Sequence, residues 1–440
     1  MKKPLFFAGI GLLLSVSLCS LPAAGQEVLK PRPDALPPVE EPAPKALNMA
    51  TSVEQMASWD RYPTYETYLA MMSRWAQEFP TLCHVDTIGT SIEGRLILSM
   101  YIAPQTDDDL YRPEFFYSST IHGDEVTGYV MMLRLIDTLL RGYGTNPQYT
   151  DLVNRTRISI NPLANPDGTY YRGNHTVQGS RRYNANGVDL NRNYPDPFGT
   201  AKAALQPEND SMIAYVSAHH FKLSANLHGG SEVMNYPWDC FTSTQNPHPA
   251  ADWWRAVCQR FVDTSRTYSS SHFRDVNTSG VIAGGDWYVI HGGRQDYMNY
   301  YHNCLELTME VSSTKTLSTD RLPEYWRFLQ HSLVNYIAEI HSLPEGYNGI
   351  GDAPLSTLRS PLQVYPNPAS DCVTIEGLDA GERVEVLDLC GRVLTQAIKQ
   401  SSNQAITQSN NNSITLEISH LPAGTYFVGP AGRKKIIVKL

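Results

Sequence analysis

The stretch Phe115 to Leu140, FFYSSTIHGDEVTGYVMMLRLIDTLL, constrains this 440-residue chain more than any other. Phe115 to Thr120 is aromatic and β-prone. From Thr127 onward Val130, Leu133, Ile136 and Leu140 return at helical spacing, so the segment predicts a strand, a turn and a helix. His122 and Glu125 fall in the turn, at the strand end, where open α/β folds place their ligands. One nitrogen and one oxygen donor suit zinc, which is catalytic only with a third protein ligand and an open position. Alone, a His-x-x-Glu pair is common by chance. The rest of the chain has to supply what is missing.

Lys222 to Ser231, KLSANLHGGS, repeats the arrangement, with a strand that ends in His228 followed by small residues. Read in isolation, His228 is a hydrogen-bonded loop histidine. Taken with His122 and Glu125 it completes a two-His, one-carboxylate set that leaves one position for water. Zinc so held brings bound water to a pKa of about 7, and a nearby carboxylate can take its proton and return it to a leaving amine. Glu306 and Glu310 lie four residues apart with the same parity on one predicted strand, and parity does not choose between them.

Between the ligand segments come the turn Asn165-Pro166-Asp167-Gly168 and the run RRYNANGVDLNRNYPD, Arg181 to Asp196. Asn191, Arg192 and Asn193 directly follow the apolar Val188 and Leu190, a pattern that packing does not explain. In order, HxxE, NRN and a later His after a strand, followed by GGDWYVIHGGRQDY and LTMEVS, the chain from Tyr62 to Ser342 resembles the zinc carboxypeptidase family. The resemblance implies zinc ligands at His122, Glu125 and His228, with Asp189 holding His122 in orientation. It implies Arg182 as the arginine that polarises the scissile carbonyl, Asn191 and Arg192 as the clamp on the substrate's terminal carboxylate, Tyr288 as the tyrosine that closes over it, and Glu310 as the general base. A guanidinium suits the clamp because its planar donors grip two oxygens.

Asp239, in NYPWDC, matches the base of the family's side-chain pocket, and Gln295 its facing wall. A carboxylate and an amide there favour C-terminal Lys or Arg, as in the carboxypeptidase N and E branch; the simpler account of Asp239 is a turn cap. Two features depart from that branch. Its turn usually has Asn where this chain has Asp124, and it usually carries a transthyretin-like domain after the catalytic one.

The tail differs. VYPNPASDCVTIEG, VEVLDLCGRVL and LPAGTYFVGPAGRKKIIVKL alternate like strands and resemble the sorting domain of type IX secretion substrates, which implies the export machinery as a partner. A carbohydrate- or wall-binding module would want exposed aromatic residues, and only Tyr365, Tyr426 and Phe427 are available.

At the other end, Lys2 and Lys3, the apolar run Leu5 to Leu18 and small residues before Gln26 form a secretory signal with cleavage after Gly25. Lipidation at Cys19 is the alternative, though Val16, Ser17 and Leu18 make a poor recognition sequence. Glu27 to Leu47 is dense in Pro and reads as an extended leader, or a short inhibitory propeptide. Cys83, Cys240, Cys258, Cys304, Cys372 and Cys390 remain, a number that permits disulfides in an exported chain, with buried thiols an equal reading for Cys83 and Cys258. A net charge of −9 with no basic block argues against nucleic acid.

The expected architecture is α/β. A mixed sheet flanked by helices occupies 51–342, a signal peptide 1–25 and a leader 26–50 precede it, and a linker 343–361 leads to a small β-sandwich at 362–440. The expected function is that of a secreted or cell-surface, monomeric zinc carboxypeptidase holding one ion, acting on peptide or protein C termini and preferring Lys or Arg. A peptidase of cell-wall peptides and a catalytically inactive binding protein are the competing readings.

Overall fold

A computed structural model describes residues 47–105, 112–196, 204–347, 363–366, 368–376, 383–387, 393–398, 413–430 and 435–439. The signal peptide, the leader up to residue 46, Cys390 and the polar tract 401–412 lie outside the described residues.

A parallel pair of two-residue strands, β1 (Met49–Ala50) and β2 (Tyr62–Pro63), opens the larger domain. Residues 47–50 therefore belong to the packed domain rather than to the leader. Ala50 is fully buried and its carbonyl accepts from Thr67 Oγ1 at 2.9 Å.

The central sheet has eight strands in the order β3 (Cys83–Thr90), β4 (Leu96–Ile102), β6 (Arg157–Asn161), β5 (Glu114–Ser119), β7 (Phe221–His228), β10 (Leu305–Ser312), β8 (Ser231–Tyr236) and β9 (Val281–Ala283). β6, β5, β7 and β10 run parallel, while β4 and β8 join this block antiparallel, so the sheet is mixed. Alternation along β5 explains its two-sided burial. Phe115 and Tyr117 enter the larger core, shared with α1 (Tyr65–Glu78), α2 (Thr127–Gly142), α3 (Pro147–Arg155), α6 (Ala251–Arg266) and α9 (Leu322–Ala338). Phe116 enters a smaller core on the opposite face, with α5 (Pro207–Ala218) and α8 (Arg294–His302). Two single-turn helices, α4 (Pro166–Thr169) and α7 (Gly284–Trp287), sit near the strand ends.

The strand, turn and helix expected over Phe115 to Leu140 are β5, the turn after it and α2, with ends within two residues of those expected. α3 is an addition whose signal was present, since Asn146 caps it through Gln148 N (2.9 Å) and Pro147 begins it. β8 left no alternating pattern because all six of its residues are buried. Among the described residues no helix is long and apolar enough to cross a membrane.

The start of α2 presses onto the sheet at Gly128, where an added Cβ would overlap Ser119 Oγ and lie 2.9 Å from Leu227 Cβ. Gly128→Ala is expected to lower stability by about 1–3 kcal/mol, the usual cost of overpacking, measured as a lower urea midpoint at unchanged slope; an unchanged midpoint would show that the helix shifts freely.

In the tail, β11 (Gln363–Tyr365), β12 (Cys372–Glu376) and β15 (Ser413–Glu417) form one antiparallel sheet. β13 (Arg383–Leu387), β14 (Val393–Ile398), β16 (Gly424–Pro430) and β17 (Lys435–Lys439) form another. Val373, Ile375 and Ile414 from the first meet Val384, Val386, Val428 and Ile437 from the second in one core, so the tail is a small sandwich. Cys83, Cys240, Cys258 and Cys304 are buried free thiols, and Cys372 is an exposed one.

Candidate active site

The site lies at the carboxyl ends of the parallel strands. β5 leads directly into the turn that carries His122 and Glu125, β7 ends on His228, and the β7–β10 register sets Glu310 beside His228. His122 Nδ1, His228 Nδ1 and Glu125 Oε2 are mutually 2.8–3.0 Å apart and almost fully buried. Three ligands of a tetrahedral zinc at about 2.0–2.1 Å stand roughly 3.3 Å from one another, so a small opening of this cluster admits the ion. The donor chemistry agrees. Burial lowers the His228 imidazole to about 4, keeping it in the neutral form that binds metal, and although burial opposes it, the two rings hold the Glu125 carboxyl well below its ordinary value. No other group of three or more His, Cys, Asp or Glu side chains among the described residues converges in this way.

Each imidazole is held from behind. His122 Nε2 meets Asp189 Oδ1 at 3.2 Å, and Arg182 Nε donates to Asp189 Oδ2 at 2.9 Å. Burial raises the Asp189 carboxyl, but His122 and Arg182 outweigh it and hold the group far below the usual range. His228 Nε2 meets Asn226 Oδ1. The turn is also buttressed from below: Asn165, at the start of α4, donates to Ile121 O (3.1 Å) and Arg182 O (3.2 Å). Gly123 has no Cβ because one would sit 2.6 Å from Arg181 O.

Glu310, Arg182, Asn191, Arg192, Tyr288 and Asp239 line the same cavity, of about 70 Å³. Tyr288 is 39% exposed at its mouth. Glu306 lies elsewhere: it is fully buried in the fork of Arg294, with Nε at 3.1 Å from Oε1 and Nη2 at 3.1 Å from Oε2. The two carboxylates of β10 that sequence parity could not separate thus have different surroundings, one in the cavity wall and one in an ion pair.

Asp239 is buried on the cavity floor, and Gln295 lies behind it rather than as a separate wall, its Nε2 donating to Asp239 Oδ1 at 2.9 Å. Burial and the neighbouring Asp296 push the Asp239 carboxyl well above its ordinary value. Gly284 makes room for it, since a Cβ there would overlap Asp239 Oδ1.

Asp124 points to a partner 191 residues away. Lys315 Nζ lies 3.0 Å from Asp124 Oδ2 and 3.4 Å from Glu125 Oε1, so the extra negative charge of the HGDE turn is matched by an ammonium in the cavity wall. Sequence reasoning missed Lys315, which no local pattern marks. It also missed Asn226, although the alternation Ser224, Asn226, His228 on β7 marks one polar face.

Residues 68–331 match the family model described as zinc carboxypeptidase, and residues 363–440 match the secretion system C-terminal sorting domain. Mouse carboxypeptidase D is 33% identical over 326 residues, covering 69% of this chain and 23% of that protein, so the chain spans about a quarter of the length of this relative. The rat carboxypeptidase N catalytic chain is 29% identical over 339 residues, covering 67% of this chain and 74% of that protein. The crystal structure of carboxypeptidase A from Helicoverpa armigera superposes with a TM-score of 0.55 at 21% identity, covering 66% of this chain and 77% of that one. This chain belongs to the zinc carboxypeptidase family and bears a secretion-system sorting domain at its C terminus.

Proposed function

We propose that the protein is a secreted zinc-dependent carboxypeptidase that removes C-terminal Lys or Arg. The observation that carries this reading is the placement of three converging metal-binding atoms, Glu310, and the paired cations Arg182 and Arg192 around one cavity whose floor is a buried carboxylate, Asp239.

In this reading Asn191 and Arg192 grip the terminal carboxylate of the substrate, which limits the enzyme to the last peptide bond. Arg182 faces the scissile carbonyl and stabilises the charge that develops on its oxygen. Glu310 takes a proton from the attacking water as its oxygen bonds to the carbonyl carbon, and delivers that proton to the amine nitrogen as the C–N bond breaks. Tyr288, at the mouth, covers the bound residue. A zinc ion held by His122, Glu125 and His228 supplies Lewis acidity and lowers the pKa of water toward neutrality. Asp239 meets the basic side chain, and Gln295 holds the Asp239 carboxyl from behind.

For the chain as a whole we take 1–25 as a signal peptide, 26–46 as a leader, the catalytic domain as running to 342, and the sandwich from 362 as the element that delivers the enzyme to the type IX export machinery, to act outside the cell as a monomer on peptide or protein C termini.

Hydrolysis of short peptides ending in Arg, Lys or Phe tests the reading. Turnover of the Arg and Lys peptides is expected to disappear on treatment with a chelator and to return with one equivalent of zinc per chain. Turnover that survives chelation, or a zinc-loaded protein with none, would overturn it. A muropeptide cleaved in preference to a Lys-ended peptide would move the substrate to the cell wall.

A further inference from the structure

Behind the cavity, the polar face of β7 and β10 carries a continuous line of buried hydrogen bonds that the reaction itself does not use. The register pairs Ser224 with Glu306, Asn226 with Thr308 and His228 with Glu310, so these six side chains share one face of the sheet. The last pair and Thr308 line the cavity, and Ser224, Asn226 and Glu306 lie outside its lining.

The orientation of Asn226 follows from its neighbours. Its Nδ2 faces three oxygens, Glu306 Oε1 at 3.2 Å, Thr308 Oγ1 at 3.3 Å and Leu307 O at 3.4 Å. A carboxylate and a carbonyl only accept, so the amide nitrogen must lie on that side and the amide oxygen on the other, against His228 Nε2. An oxygen there accepts only from a protonated Nε2. That leaves the lone pair of His228 on Nδ1, the atom that converges with His122 and Glu125. Glu306 is in turn fixed by Arg294, through Nε and Nη2, and by Ser224 Oγ at 2.8 Å. The far end of the line reaches the substrate clamp: Arg294 N donates to Asn191 Oδ1 at 2.9 Å, which turns the Asn191 amide nitrogen away from Arg294.

We infer that the buried Arg294–Glu306 pair is a positioning strut, which through Asn226 fixes the tautomer of His228 for metal binding and through the Arg294 backbone orients Asn191 for the substrate carboxylate. The inference rests on the reading of His228 as a zinc ligand. Its physical basis is that the group behind a ligating imidazole sets ring orientation and tautomer, and losing such a group weakens metal binding by about 10- to 100-fold. Asp189 occupies that position for His122, and Asn226 occupies it for His228.

Glu306→Gln is the informative variant because it is isosteric and touches no ligand. Arg294 requires acceptors, so the new amide oxygen turns toward it and the new amide nitrogen toward Asn226, which then presents its own nitrogen to His228 and inverts the tautomer. The full-length protein, Glu306→Gln, Asn226→Ala and the control Ser224→Ala are loaded with zinc, and affinity is measured by competition with a chromophoric chelator. Cobalt-substituted samples report ligand geometry by absorption. The expected result is zinc binding about 10- to 100-fold weaker in Glu306→Gln and Asn226→Ala with an altered cobalt spectrum, and a change under threefold with an unaltered spectrum in Ser224→Ala, which loses a bond to the same carboxylate but lies off the path to His228. Retention of affinity within threefold in folded Glu306→Gln, or an equal loss in Ser224→Ala, overturns the strut. If neither variant folds, ¹⁵N-histidine spectra of the zinc-free wild type decide: His228 as the Nε2–H form alone supports the strut, and a mixture of tautomers overturns it. Failure of the wild type to bind zinc would instead defeat the metal site on which the inference stands.

Discussion

Glu310→Gln is expected to lower kcat by about 10²- to 10⁴-fold, the range general acid–base catalysis supplies, while KM and zinc affinity stay within a fewfold of the parent. Gln keeps the shape and a hydrogen-bonding oxygen but has no basic carboxylate to take a proton from water. Glu310 is not among the three converging atoms, so the metal site remains whole. A fall in kcat without a change in KM is the signature of an interaction made only in the transition state. Steady-state kinetics on an Arg-ended peptide, with metal content measured on the same samples, checks the result. A variant that keeps more than a fifth of the parent kcat would place the base elsewhere. Glu306 is a poor substitute, because Arg294 and Ser224 already occupy its oxygens.

Asp239→Ala is expected to reduce kcat/KM for Arg- and Lys-ended peptides by about 10²- to 10³-fold and to leave a Phe-ended peptide unchanged or improved. Removing one partner of a buried charge pair costs about 2–5 kcal/mol, and each 1.4 kcal/mol is a factor of ten. The backbone of the pocket should survive, since Asp296 rather than the Asp239 side chain holds the Asp239 and Cys240 amides, each at 2.9 Å. A pH dependence accompanies this. Burial and Asp296 raise the Asp239 carboxyl, so the free pocket gains its negative charge only above the usual carboxylate range. Preference for Arg over Phe should therefore increase as pH rises through that raised value and weaken below it, and the trend should vanish in Asp239→Ala. Unchanged preference for basic ends in the variant would return Asp239 to the role of a turn residue.

Much of this arrangement is legible in the sequence alone. The strand–turn–helix at Phe115 to Leu140 follows from alternation passing into helical spacing, and the HxxE, NRN and strand-then-His segments stand out because polar groups follow apolar runs where packing has no use for them. α2 illustrates a limit. Its stripe of Val130, Leu133, Ile136 and Leu140 was visible, but Met131, Met132, Leu135 and Leu139 are buried as well, because the sheet and α9 enclose the helix on more than one side. Residues 47–50 illustrate another: a proline-rich neighbourhood argued for a leader, and pairing with Tyr62–Pro63 drew them into the domain.

The amino-acid sequence determined the element types, the alternation of polar and apolar faces, and the chemical kinds of side chain available for the site, because these depend on near neighbours in the chain. Only the tertiary structure decided which of them meet. The parallel register of β7 against β10 joins strands about 80 residues apart and sets Glu310 beside His228 while delivering Glu306 to Arg294. Lys315 finds Asp124 across 191 residues for the same reason. Strand register is fixed by burial of the whole sheet, and no local window of sequence contains that information.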